Sequence, residues 1–129
     1  MYKRQVVAFS HAYYAFNVAN EVVVGSGGKT FTGPLAKYAR VVYSGTPLKG
    51  PISSTLLPNG NLVLGNTLEK KGTNNLVEIA TDGTLLDTKN VDKGAAGALF
   101  GIASSGKTDA TTLIYFNDDN TNTVDLLKQ

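Results

Sequence analysis

The stretch "GIASSGKT", Gly101 to Thr108, satisfies the pattern G-x-x-x-x-G-K-[ST]. A loop of this pattern cradles phosphate when a buried strand enters it and a helix begins at its Gly-Lys-Thr, because the free amides of the helix N-terminus then point at the anion. Thr108 is followed instead by "DATTLIYFNDD", rich in β-branched and aromatic residues, with no helical stripe and no later strand ending in a magnesium-binding Asp. "VVVGSGGKT", Val22 to Thr30, is a weaker echo with Val23 at the first glycine position. In a chain this rich in Gly, Ser and Thr the pattern arises by chance. Nucleotide hydrolysis is not expected; Gly101 to Ala103 is expected in a strand and Ser104 to Ala110 in a turn.

A second set with possible chemistry is Asn17, Asn66, Asn117, Asp118 and Asp119. Asn and Asp oxygens suit a hard cation such as calcium. The same side chains also close their own hairpins by accepting backbone amides. The second role is the expected one, because Asn at the same hairpin of every repeat is what architecture alone requires. Asn66, Asn117, Asp118 and Asp119 remain the metal candidates, and with Asn17 they form a candidate ligand face. His11 is the single histidine and has no acid or nucleophile near it in sequence, so it is expected at a turn. No Ser-His-Asp set and no paired-carboxylate constellation can be assembled, so no catalytic residue is assigned. Glu69, Lys70 and Lys71 are expected as a solvated hairpin tip, and Tyr13, Tyr14, Tyr43 and Tyr115 as packing residues.

The elements that must carry these residues come from a repeat of about fifty residues. "YYAFNVANEVVV" (Tyr13 to Val24), "LVLGNT…NNLVEI" (Leu62 to Ile79) and "LIYFNDDNTNTVDLL" (Leu113 to Leu127) each place a short apolar run before Asn, then a polar turn and a second strand. The first Asn falls at Asn17, Asn66 and Asn117. Two-residue apolar spacing at Val22 and Val24, and at Leu113 and Tyr115, points to strands. Pro58-Asn59-Gly60 and Asp82-Gly83 are turn formers. Only "GPLAKYARVVY" (Gly33 to Tyr43) approaches a helical pattern, with Pro34 as a first helical residue. It is short and runs into "RVVY", so a loop followed by a strand is expected there.

Four strands per repeat are the arithmetic of a propeller blade. The middle copy predicts strands at Ile52–Leu57, Leu62–Gly65, Asn75–Ile79 and Thr84–Asn90. The first predicts Val6–Phe9, Ala12–Phe16, Glu21–Val24 and Ala39–Tyr43. The third predicts Ala98–Ala103, Thr112–Asn117 and Thr123–Leu127, with no outer strand. The expectation is an all-β fold: an incomplete β-propeller of nearly three four-stranded antiparallel blades, about 6–48, 49–94 and 95–129.

The chain has 129 residues, 42% apolar and 17% charged, with a formal charge of +2 and no cysteine. That is one domain's length with enough apolar residues for a core. No basic run interleaved with aromatics appears, so no nucleic-acid partner is expected. No apolar run is long enough for a membrane span. "MYKRQ" reads as the translation of a transposon end used in sequencing-library preparation, so residues 1–5 are expected to be a non-native leader of a fragment.

"LLPNGNLVLGNT…NNLVEIATDGTLL" resembles an NHL-type repeat, and "AGALFGIASSG…LIYFNDDNTNTVDLL" is similar to the closing segment of bacterial NHL-type propellers. The resemblance covers Gly50 to Leu127, or Val6 to Leu127 with the first copy. Leu68 to Thr73 lengthens one hairpin relative to that pattern, and Asn66 stands where Asp is usual. The resemblance implies the C-terminal piece of a six-bladed bacterial propeller that is extracytoplasmic, periplasmic or secreted. It further implies a non-catalytic binding or scaffold module without a cofactor, offering loops to a protein or carbohydrate partner, with the rest of the ring in the parent chain. The alternative is a metal-dependent hydrolase or lyase of the gluconolactonase-like or strictosidine-synthase-like type, with calcium in the axial channel. A fold alone carries neither function.

Overall fold

A computed structural model of the chain describes residues 16–18 (backbone only), 22–25 and 29–128. Residues 1–5, His11, Tyr13, Tyr14 and the strand expected at Val6–Phe9 lie outside the described residues. The rest is all-β: ten strands in three antiparallel sheets, with two three-residue 3-10 turns as the only helical structure among the described residues.

The first sheet is β1 (Phe16–Val18), β2 (Val22–Val24) and β3 (Phe31–Thr32), in that order. The strand expected at Ala39–Tyr43 does not form. A 3-10 turn occupies Ala36–Tyr38, and residues 39–44 run on without pairing in a sheet. The apolar run there is buried by packing: Val42, Tyr43 and Leu48 lie against the second sheet.

The second sheet is a four-stranded meander, β4 (Pro51–Leu56), β5 (Leu62–Asn66), β6 (Asn74–Ile79) and β7 (Leu85–Asp92). Its turns follow from residue type. Gly60 (φ 91°) and Gly83 (φ 95°) take the left-handed region at the two tight hairpins, a conformation that costs glycine nothing. Asn59 Oδ1 and Asp82 Oδ1 accept the amides of Asn61 and Thr84 at 2.9 Å each. The β5–β6 connection is longer, as the "LEKKGT" segment requires.

The third sheet is β8 (Ile102–Ser105), β9 (Leu113–Asp118) and β10 (Thr123–Lys128), with β9 central. Its first strand begins later than expected, after the buried pair Ala98 and Leu99. The expected turn Ser104–Ala110 is shorter at its start, because Ser104 and Ser105 still pair with Ile114 and Leu113.

Register decides which side chains meet. Residues directly opposite in a sheet share a face, and neighbours along a strand alternate. On the second sheet, Val63, Gly65 and Leu76 occupy one face, here called the front. Leu62, Leu64, Val77 and Ile79 occupy the back. The front packs on the third sheet, where Val63, Leu76 and Leu57 form one buried cluster with Leu99, Ile114 and Phe116. The back is the second cluster, covered by Val42, Tyr43 and Leu48. β5 is therefore buried along its whole length, whereas β7 is the exposed outer strand. Gly65 permits the close approach: a Cβ there would meet Ser53 Oγ at 2.7 Å, Ile102 Cδ1 at 3.0 Å and Leu99 Cβ at 3.3 Å.

Candidate functional site

The polar residues singled out in the sequence collect at one end of the second and third sheets. There β5 passes to β6, β7 runs out, and β9 passes to β10. Asn66 ends β5 on its back face and is fully buried. Its Oδ1 accepts the Lys49 amide at 3.0 Å, and its Nδ2 donates to the Pro47 carbonyl at 2.8 Å and to Glu69 Oε1 at 3.2 Å. Asn66 thus fixes the segment that covers the back of the second sheet. A buried polar side chain must find such partners, since an unpaired one costs about 1–3 kcal/mol.

Glu69 is more than a solvated tip. Its carboxylate also accepts the Asn75 amide and the Asn75 Nδ2, both at 2.7 Å. It closes the long hairpin from inside, while Lys70 and Lys71 point outward.

Asn74, at the start of β6, is the second fully buried amide. Its Nδ2 donates to Asp92 Oδ2 at 2.7 Å and to the Ala95 carbonyl at 2.8 Å, and its Oδ1 accepts the amides of Gly97 and Ala98 at 3.0 and 3.1 Å. Asp92 Oδ2 also accepts the Gly94 amide at 3.0 Å and Asn120 Nδ2, and Asn120 Nδ2 donates in turn to Ala95 at 2.8 Å. One hydrogen-bonded node therefore joins the end of β7, the crossing segment 93–98 and the β9–β10 turn.

Asp118 is 3% exposed, and its Oδ1 accepts the Asn120 amide at 2.9 Å, a turn closed by an aspartate. Asn117 and Asp119 are exposed. The buried polar end of the middle strand is therefore Asn66 in one sheet and Asp118 in the other. Asn117, which sequence similarity pairs with Asn66, points to the opposite face. Asn17 sits on β1 opposite Val23, and its side chain lies outside the described residues.

The structure brings Asn66 together with Glu69, and Asp118 together with Asn120, but does not gather the five candidates into one cluster. No group of three or more His, Cys, Asp or Glu side chains placed to hold a metal ion occurs among the described residues. Sequence reasoning missed Asn74, Asp92 and Asn120. The paired Asn74-Asn75 before an apolar strand was the available signal, but its partners lie in two other segments.

The phosphate-loop pattern has no helix to open. After Gly106 comes a three-residue 3-10 turn, Asp109–Thr111, whose Thr108 and Thr111 bond each other's backbone and hydroxyls. No helix among the described residues is long and apolar enough to cross a membrane.

No family model matches the chain, and neither the curated proteins nor the solved structures contain a match to it.

Proposed function

We propose that the chain is a non-catalytic binding or scaffold module built from consecutive blades of an NHL-type β-propeller. The observation that carries this reading is the front-to-back packing of two register-equivalent sheets. Gly65 pairs with Leu76 in the second sheet as Asn117 pairs with Val124 in the third, and Val63 with Glu78 as Tyr115 with Leu126. The back positions Leu62 and Leu64 correspond to Ile114 and Phe116, and it is these last two that receive the front of the second sheet. The unit is therefore used twice in the same orientation, which is how blades follow one another around an axis. The two sheets also meet along their first strands: Thr55 Oγ1 of β4 lies 2.8 Å from Ser104 Oγ of β8. First strands side by side and outer strands exposed fit inner and outer positions on a ring.

The binding surface in this reading is the polar end. Lys70, Lys71, Lys93, Asp119 and Asn122 are exposed there, on turns anchored by the buried Asn66 and Asn74. Exposed turn residues on a rigid support are the usual arrangement of a recognition face. Asn66, Asn74 and Asp92 already meet N–H donors, which favours an architectural role for them over calcium ligation. The ligand class is a protein or a carbohydrate, and an extracytoplasmic location accords with it.

The test is a glycan array together with thermal melts of the 129-residue chain with and without millimolar calcium. Binding lost in Asp119→Ala and Asn122→Ala, with melting unchanged by calcium, supports the module. A calcium-dependent rise in melting temperature that disappears in Asn117→Ala overturns it in favour of the hydrolase or lyase reading.

A further inference from the structure

β7 is the outer strand of the second sheet, eight residues long, with no strand beyond it among the described residues. Residues 85–90 of it are exposed. Such an edge offers its free amides and carbonyls to another strand. Two bonds show which residues face outward. The Asn75 amide donates to Glu69 Oε2 and not to Asn90 opposite it. Bonded and unbonded pairs alternate along an antiparallel ladder. Val77 and Thr88, two regular pairs further on, are therefore also unbonded. Thr88 thus turns its amide and carbonyl away from β6, and the amide donates to Asp87 Oδ1 at 2.8 Å.

The charges along this edge select one self-complementary register. A two-fold axis at Asp87 or at Lys89 would set like charges face to face, which is unfavourable. An axis at Thr88 sets Asp87 of each copy opposite Lys89 of the other, and Thr88 opposite Thr88. We infer that β7 pairs antiparallel with β7 of a second copy about an axis at Thr88, joining two four-stranded sheets edge to edge. The Thr88 amide then passes from Asp87 to the Thr88 carbonyl of the other copy, and the Asp87 carboxylate is freed for Lys89 of the other copy. Those charged residues form the unbonded pairs, whose Cα atoms approach to about 4.5 Å. Glu78 lies directly opposite Asp87 on the front of the sheet. That like-charge pair costs stability in the single chain, and the incoming lysine offsets it. The contact is isologous, so it closes at two copies. It uses the second sheet alone and does not depend on the propeller reading.

Sedimentation equilibrium of the 129-residue chain at low salt is expected to show a dimer, weakened by about tenfold at ~0.5 M salt. Asp87→Lys and Lys89→Asp should each raise the dissociation constant by about tenfold or more, because two cross-strand pairs turn repulsive at once. The double exchange Asp87→Lys, Lys89→Asp should restore the dimer. Thr88→Pro removes the central donor where β6 requires none, so it should abolish the dimer and keep the far-ultraviolet spectrum of the sheet. If that variant unfolds, the charge exchanges decide, since both side chains are exposed. A chain that stays monomeric at ~100 μM in low salt overturns the pairing. A dimer indifferent to both single exchanges places the contact elsewhere and overturns it too. A dimer that the double exchange fails to restore excludes the register centred on Thr88.

Discussion

Asn74 Nδ2 donates to Asp92 Oδ2 at 2.7 Å, and this bond ties the start of β6 to the end of the neighbouring outer strand. Around it the amide oxygen of Asn74 holds the segment that crosses to the third sheet. One buried side chain therefore ties the second sheet to the segment that leads into the third, beside the apolar cluster and the Thr55–Ser104 contact between the two sheets.

Replacing Asn74 with alanine should be the most damaging single change at the polar end. It leaves the amides of Gly97 and Ala98 without their acceptor, the second of them on a buried residue. The expected loss is roughly 2–3 kcal/mol, read from the urea midpoint at constant slope. A loss within ~0.5 kcal/mol would show that water replaces the amide there.

Asn66 and Asp118 occupy the same position in two sheets but should respond oppositely to exchange of their head groups. Asn66→Asp removes the donor to Pro47 and sets a carboxylate against Glu69, so a cost of about 2 kcal/mol or more is expected. Asp118→Asn keeps an acceptor for the Asn120 amide and should change stability by less than ~1 kcal/mol. Equal effects in denaturant titration would contradict the assigned hydrogen bonds.

Gly65→Ala should drive the second and third sheets apart. The new methyl meets Ser53 Oγ, Ile102 and Leu99 at distances too short to keep. Overpacking of this kind costs about 1–3 kcal/mol. The variant should also expose the apolar cluster between the sheets, seen as increased binding of a hydrophobic dye. Unchanged stability and dye binding would mean that the sheets do not pack at Gly65.

Asp82 should titrate below the ordinary aspartate value. The Thr84 amide bond is the main cause, followed by the Thr84 hydroxyl, with Arg40 contributing favourable charge. A depressed folded value means that the stabilising contribution is present above the unfolded aspartate value and is lost as pH falls through the lower folded one. Asp82 is fully exposed, so the visible effect is in the titration and not in the melting curve. Carbon-detected NMR of the Asp82 carboxyl should give the lowered midpoint, and Thr84→Val should raise it part of the way. A midpoint at the ordinary value would show that the Asp82 turn is open in solution.

Much of the second and third sheets is legible in the chain because alternation and turn residues coincide there. Pro58-Asn59-Gly60 and Asp82-Gly83 mark two hairpins, and Val63 against Leu64 already separates two faces. The segment Ala39–Tyr43 misleads because a three-residue apolar run records burial without saying what buries it; Val42 and Tyr43 pack on the second sheet without joining any strand. The equivalence of Asn66 with Asp118 was hidden by matching asparagine to asparagine at Asn117. The alternation Ile114, Phe116, Asp118 places the buried end one residue later. Asn74, Asp92 and Asn120 form one node only in three dimensions, so no local pattern announces it.

The central claim is that the second sheet turns its front, and not its back, to the third. Methyl NOE spectroscopy of the 129-residue chain tests it most directly. Contacts from Val63 and Leu76 to Ile114 and Leu99, together with contacts from Leu64 and Val77 to Val42 and Leu48, are the predicted result. Contacts from Leu64 or Val77 to Ile114, or none between the two sheets, would contradict it.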